Sequence, residues 1–358
     1  MPSLENIANN IHQWLTNTFI APWPMLFEFI IVGVCIIGLF AMLGLVLIMM
    51  ERKVSAWMQL RLGPNRVGPA GMFQTVADTL KLIVKEGMTP DGADKFLFNL
   101  APFIVMIIAM VIMAPLMFAK GFQIWDINIG VLFFTAISSV SVIGILMAGW
   151  ASNNKYSLLG AMRSGAQIVS YELSAGFAIL SIVILTGDLR VSAIVNSQAN
   201  GWWIFKGHLP VWIAFIIFMI AVTAETNRAP FDLAEAESEL TAGFHTEYSG
   251  MKFALFFLAE YVNVFIVCAI GATLFFGGWM PLHIGHWEGF NHVMDYIPSS
   301  IWFFGKTFFL IFVIMWFRWT FPRLRIDQLL NLEWKYLLPI SMFNLLLVTA
   351  IAILGWHF

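Results

Sequence analysis

Between Thr223 and Glu247 the chain reads TAETNRAPFDLAEAESELTAGFHTE and sets Glu225, Asp232, Glu235, Glu237, Glu239 and Glu247 against one arginine, Arg228. Only 11% of the residues are charged and 60% are apolar, so ordinary solvation does not account for this cluster. The run follows directly on an apolar stretch, which places Glu225 at or inside the edge of a membrane. An ionised group there is costly and marks a functional site by default. Two more carboxylates interrupt apolar runs, Glu172 in MRSGAQIVSYEL and Glu260 in FFLAEYVNVF. Each costs about 2.5 to 3.5 kcal/mol at the centre of an inserted helix, so neither faces lipid. A protonated packing residue explains either one alone, whereas a shared polar path explains all three together.

The loop acids divide in the same way. Ala229-Pro230 forces extended backbone, and Asp232 followed by Glu235 resembles the capping box of a short helix ending near Gly243. Glu239 then shares a face with Glu235 at i,i+4, a like-charge pair that costs a few tenths of a kcal/mol with no cation nearby in sequence. Close carboxylates have raised and coupled proton affinities, which suits a proton or cation relay.

The elements that hold these residues are membrane helices. A mean hydropathy of +0.82, with 34 Phe, 20 Met and 15 Trp, exceeds what a soluble domain of 358 residues hides. Stretches long enough to cross ~30 Å of hydrocarbon predict eight spans, at 25–50, 96–119, 127–151, 164–187, 209–225, 253–279, 297–317 and 336–355. The fold class expected is therefore an all-α polytopic membrane protein, one membrane domain over 1–358. Within it, 51–95 forms a cytoplasmic amphipathic segment and 226–250 an acidic cytoplasmic loop. The first span follows a polar N-terminus without Lys or Arg and reads as a retained helix, not a signal peptide. Cys35 and Cys268 both sit in apolar runs without metal or redox spacing.

Basic residues set the orientation. The segments after spans one, three, five and seven hold nearly all of the 19 Lys and Arg; the other side holds Lys120, Arg190 and Lys206, and Lys306 lies within span seven. Both termini are thus expected to face away from the cytoplasm or its organellar equivalent. On the cytoplasmic side, Phe73, Val76, Leu80, Ile83 and Val84 alternate at helical spacing with Gln74, Asp78, Lys81 and Lys85, which predicts an amphipathic helix too polar to span. The preceding ERKVSAWMQLRLGPNRVGP predicts an interfacial helix and a fixed turn at Gly63-Pro64 and Gly68-Pro69.

The runs ERKVSAWMQLRLGPNRVGP, ADTLKLIVKE, GWASNNKYSLLGAMRSGAQIVSYEL, ETNRAPFDLAEAESELTAGFHTEYSG, KFALFFLAEY and FPRLRIDQLLNLEWKYLLP resemble the family of H subunits of bacterial NADH-quinone oxidoreductase, respiratory complex I. The mitochondrial counterpart of that family is NADH dehydrogenase subunit one. The resemblance covers nearly the whole chain apart from the termini and outer loops, and its PFDxxExE core is specific to that family. It implies a membrane component without a redox centre of its own, in a translocase that pumps protons, and makes the side of both termini the periplasmic side of a bacterial inner membrane. Quinone is the substrate, with the flavin (FMN) and iron-sulfur clusters held by partner subunits. The partners implied are the soluble iron-sulfur and quinone-site subunits docked on the cytoplasmic face, the small membrane subunits, the antiporter-like subunits and membrane lipid; nucleic acid is not among them. The sequence itself contains no iron-sulfur cysteine set, nucleotide-binding glycine motif or haem histidine pair. His283, His286 and His292 read as a peripheral outer-loop cluster, not as a metal site.

Carried over position by position, the resemblance assigns Glu225, Glu172, Glu235 and Glu260 to an acidic channel linking quinone reduction to proton pumping, with Asp78, Glu237, Glu239 and Glu247 as further members. It assigns Arg52, Arg61, Arg163, Arg228, Arg318 and Arg325 to the quinone tunnel or its mouth. Two departures stand out: Thr79 follows Asp78 where the family often has Ala or Gly, and the outer loop 278–300 is long and rich in His, Trp and Gly. The SNNKYS run is shared with chloroplast and cyanobacterial relatives, while ETNRAPFDL is closer to the NADH-linked enzyme. The membrane component of a membrane-bound hydrogenase is the rival within the same membrane module. A stand-alone cation transporter is a further rival, but the repeated broken spans usual for that class are not found.

Overall fold

The computed structural model describes residues 4–18, 23–233, 237–283 and 287–355. Among them, eight helices are long and apolar enough to cross a membrane: span one Trp23–Met58, two Lys95–Ile112, three Gly130–Ala151, four Lys155–Thr186, five His208–Glu225, six Gly250–Phe276, seven Ser299–Thr320 and eight Ile326–Ile353. The chain is therefore an all-α, multi-pass membrane protein. The strand content described is one short hairpin, Met117–Ala119 against Phe122–Gln123.

Charge limits a span more strictly than it limits a helix, and the expected boundaries shift accordingly. The interfacial helix expected after span one is not separate, because span one runs on through Glu51, Arg52 and Lys53 to Met58. Span four begins at Lys155, more than two turns before the expected 164, because the Asn154 side chain caps it by accepting from the Tyr156 amide at 2.9 Å. Arg163 thereby sits on a helix instead of in a loop. Span two stops at Ile112 and the hairpin takes the rest of its expected length. Span eight begins ten residues early, as Ile326–Leu332 followed by a π-helical turn Glu333–Leu337 and then Leu338–Ile353. The amphipathic surface helix is Gln74–Val84.

Span six forms the centre of the bundle and is the most buried of the eight, while spans one and eight are the most open to lipid. Small residues let the helices approach closely: a Cβ on Gly149 of span three would meet Ala161 of span four at 2.3 Å, and one on Gly144 would meet Val105 of span two at 2.5 Å. Lys306, buried within span seven, is satisfied at the C-terminal end of span six. Its ammonium donates to the carbonyls of Phe276, Gly278 and Met280 and lies 4.3 Å from the Trp202 ring centre, so a cation meets the negative end of a helix. On the opposite side, the loops after spans five and seven are tied together: the Leu324 amide donates to the Pro230 carbonyl at 3.1 Å and Arg323 donates to the carbonyl of Asp232.

Candidate functional site

The end of span one carries a buried ion network. Glu51 accepts from Arg318 of span seven and from Arg228 of the loop after span five, the latter at 3.2 Å, and Arg228 reaches Glu260 of span six at 3.4 Å. Arg228 also lies over the Tyr261 ring at 4.2 Å. Two guanidinium groups balance two carboxylates, so the charges are paired where isolated ones would be prohibitive. Outside this network opens a cleft of about 360 Å³ lined by Glu51, Arg52, Arg61, Trp319 and Arg318 along with apolar Ala56 and Leu62. Its volume and its apolar wall with a few polar groups suit a small organic ligand.

Beyond Glu260 lies a cavity of about 60 Å³ between spans two, three, five and six. Its lining includes Glu225, Glu260, Thr226, Asn227, His245, Ser138 and Asn263. A neighbouring cavity of about 30 Å³ shares Ser138, Glu225 and Asn263 and adds Glu172. Glu172 accepts from the hydroxyls of Ser138, at 3.3 Å, and Ser139 on span three. The three carboxylates expected on a common path thus line two cavities with shared walls, and Arg228 contacts Glu260 of one and Glu51 of the cleft. His245, just before span six, is enclosed by Phe244, Phe253 and Phe256. Burial pushes its imidazole down to about 4 against a partly opposing backbone hydrogen bond, so it is neutral at physiological pH.

The remaining expected residues are spread more widely. Asp78 of the surface helix pairs with Arg52. Burial raises its carboxyl, but the hydrogen bonds and charge of Arg52 and Gln74, with Lys81, outweigh this and hold it below the usual range. Glu239 does have a cation, contrary to expectation: Arg163 of span four donates to it at 2.7 Å. That hydrogen bond and charge, with Arg323 and Arg325 adding to them against the effect of burial, hold Glu239 low. Sequence distance concealed the pair, since Arg163 lies on a stretch of helix where a loop is expected. Glu247 accepts from the Asn154 amide at 2.6 Å. Arg325 stands at the start of span eight. Glu237 begins a short helix, Glu237–Leu240, whereas Glu235, and with it the expected helix start, lies outside the described residues, as does His286. His283 pairs with Asp295 at 3.0 Å.

Three residues of the site are not evident from sequence. Glu51 ends an apolar run just as Glu225 does, and that shared position is the available signal. His245 lies inside the acidic stretch, between Phe244 and Thr246, with no residue spacing that marks it out. Glu333, wholly buried in span eight, is hidden when the span is ended at the first charge.

The fold and site define a multi-pass membrane protein whose helices enclose paired charges and acid-lined cavities. The model of the family described as NADH dehydrogenase matches residues 30–349. Among relatives, the H subunit of NADH-quinone oxidoreductase from Bacteroides thetaiotaomicron is 59% identical over 352 residues, covering 98% of each chain. The corresponding H subunit from Brevibacillus brevis is 46% identical over 331 residues, 92% of this chain and 94% of the relative. NADH-quinone oxidoreductase subunit 8 of Rhodothermus marinus is 48% identical over 334 residues, 91% and 96%. The chain belongs to the NADH dehydrogenase family, in the group of NADH-quinone oxidoreductase H subunits.

Proposed function

We propose that this chain, as a membrane subunit of an NADH-quinone oxidoreductase, admits quinone at the cleft and carries the protonation signal of quinone reduction into the membrane. The observation that supports this reading is the pair of contacts made by Arg228, with Glu51 of the cleft and with Glu260 of the acidic cavity. In this mechanism Arg52, Arg61 and Arg318 position the polar headgroup, and the apolar wall at Ala56 and Leu62 takes the isoprenoid side. Reduction creates negative charge on the quinone. That charge competes with Glu51 for the arginines, weakens the hold of Arg228 on Glu260, and so raises the proton affinity of Glu260. Glu225 and Glu172, on the walls of the same cavities, take part in the onward transfer.

FMN and iron-sulfur chemistry belong to partner subunits that dock on the face holding Gln74–Val84 and the loop after span five. The protons are passed to antiporter-like subunits in the bacterial inner membrane. On this reading the assembly is a proton-translocating enzyme, and this chain is its coupling element. Replacing Glu225 and Glu172 together by Gln is expected to leave the complex assembled and to abolish most proton uptake by inverted membrane vesicles per NADH oxidised. Unchanged proton stoichiometry in the double variant would refute the acidic path.

A further inference from the structure

Span four has a second polar face that the acidic path leaves unused. Gln167, Tyr171 and Ser174 recur at i, i+4 and i+7, so they share one stripe, about 100° or more around the helix from Glu172. All three are buried. At the near end, the Gln167 amide donates to the carbonyls of Ala224 and Phe231, each at 2.7 Å, and lies 3.3 Å from Asn227 Oδ1. Ala224 immediately precedes Glu225. At the far end stands Glu333, the first residue of the π-helical turn in span eight, with none of its surface exposed. Such turns occur as single insertions and are often found at functional sites.

The hydrogen bonds at Glu333 can be satisfied with the carboxyl in its acid form. Its Oε2 lies 3.1 Å from Ser174 Oγ, which also lies 3.1 Å from the carbonyl of Tyr171. A hydroxyl has one hydrogen to donate but accepts through two lone pairs. With Glu333 protonated, the carboxyl donates to Ser174 and Ser174 donates to the carbonyl, which satisfies both contacts. Among the described residues no cation pairs with Glu333. The titratable group facing it is Tyr171, whose hydroxyl is committed to the Leu329 carbonyl at 3.0 Å, while Lys335 on its own turn is exposed. Glu333 Oε1 and Gln167 Oε1 are both buried acceptors without a protein partner, atoms of the kind that ordered water satisfies.

We propose that Glu333 is a proton-carrying carboxyl at the end of a second polar path, which runs along span four from the Glu225 site through Gln167 and Ser174 to span eight. Glu333 in its acid form releases a proton to Ser174 Oγ, while the original Ser174 hydrogen turns from the Tyr171 carbonyl to a water on the stripe and passes to it, so that the hydroxyl is restored. Glu225 as carboxylate receives the proton and becomes the acid, and no electron moves. The reverse transfer reloads Glu333. This proposal rests on the role given above to Glu225.

The test uses the assembled complex in native membranes. Glu333→Gln keeps the size and a donor but removes the exchangeable proton, so a packing role survives it and proton carriage does not. The expected result is loss of a protonated-carboxyl C=O stretch from the NADH-induced infrared difference spectrum, with fewer protons moved per electron. Ser174→Ala, which leaves the carboxyl in place, is expected to lower the proton yield in the same direction and serves as the test should Glu333→Gln fail to assemble. If Glu333→Gln and Ser174→Ala both match the parent while Glu225→Gln loses pumping, Glu333 is a packing residue and this inference fails alone. If Glu225→Gln is silent as well, the acidic path and its branch fail together.

Discussion

At the scale of single residues, the site works by pairing charge where it is buried and leaving a few groups neutral. Glu51 pairs with both arginines and Glu260 with Arg228, so removing either acid leaves one more cation than carboxylate in the network, a change that costs several kcal/mol where the partners are buried. His245 is the neutral case. Its unfolded value of 6.5 falls to about 4 in the fold, so between these pH values the unfolded chain binds the extra proton. The contribution of His245 is therefore fully present above pH 6.5 and declines as pH drops toward 4, by up to about 3 kcal/mol. We expect the unfolding temperature of the complex to fall between neutral pH and about pH 5, and His245→Gln to flatten that dependence. An identical pH profile in the variant would show that the imidazole does not control it.

At the scale of elements, span four is the common wall of the site. One face presents Glu172 to span three, another presents Gln167 and Ser174 to the loop and span eight, and its first turns hold the loop before span six. Ser157 donates to the Phe244 carbonyl at 3.1 Å, and a Cβ on Gly160 would meet the Gly243 backbone at 2.8 Å. Backbone cannot swing aside as a side chain does. Gly160→Ala is therefore expected to push the loop bearing His245 away from the cavity at a cost of about 1–3 kcal/mol. This would be seen as a lower unfolding temperature and faster proteolysis between spans five and six. A variant indistinguishable from the parent in both assays would show that the loop yields freely.

At the scale of the molecule, eight spans bring the loops after spans one, three, five and seven to one side, where the cleft and the acidic loop lie. The other side carries the hairpin, Lys306 with its tryptophans and the segment before span seven. Basic residues concentrate on the cleft side, which predicts that it is cytoplasmic. Single cysteines at Asn9 and Glu288, in a background lacking Cys35, should react with a membrane-impermeant thiol reagent while the inner membrane is intact. Protection of both until the membrane is opened would invert the topology.

The sequence alone determined the number of spans and their order, because burial of apolar side chains in lipid depends on local composition and needs no partner. It also singled out Glu172, Glu225 and Glu260, since a carboxylate within an apolar run is visible without knowing what faces it. Only the tertiary structure decided which cation meets which acid. Arg163 with Glu239, and Arg228 and Arg318 with Glu51, lie 76, 177 and 267 residues apart, and charge pairing at such separations leaves no periodic trace. The same reason accounts for the helix boundaries. Charged turns at Glu51–Lys53, Lys155–Arg163 and Ile326–Glu333 look like the ends of spans, yet they stay helical because neighbouring elements cap or pair their polar groups. Glu333 could be recognised as buried only once span four was seen to cover it.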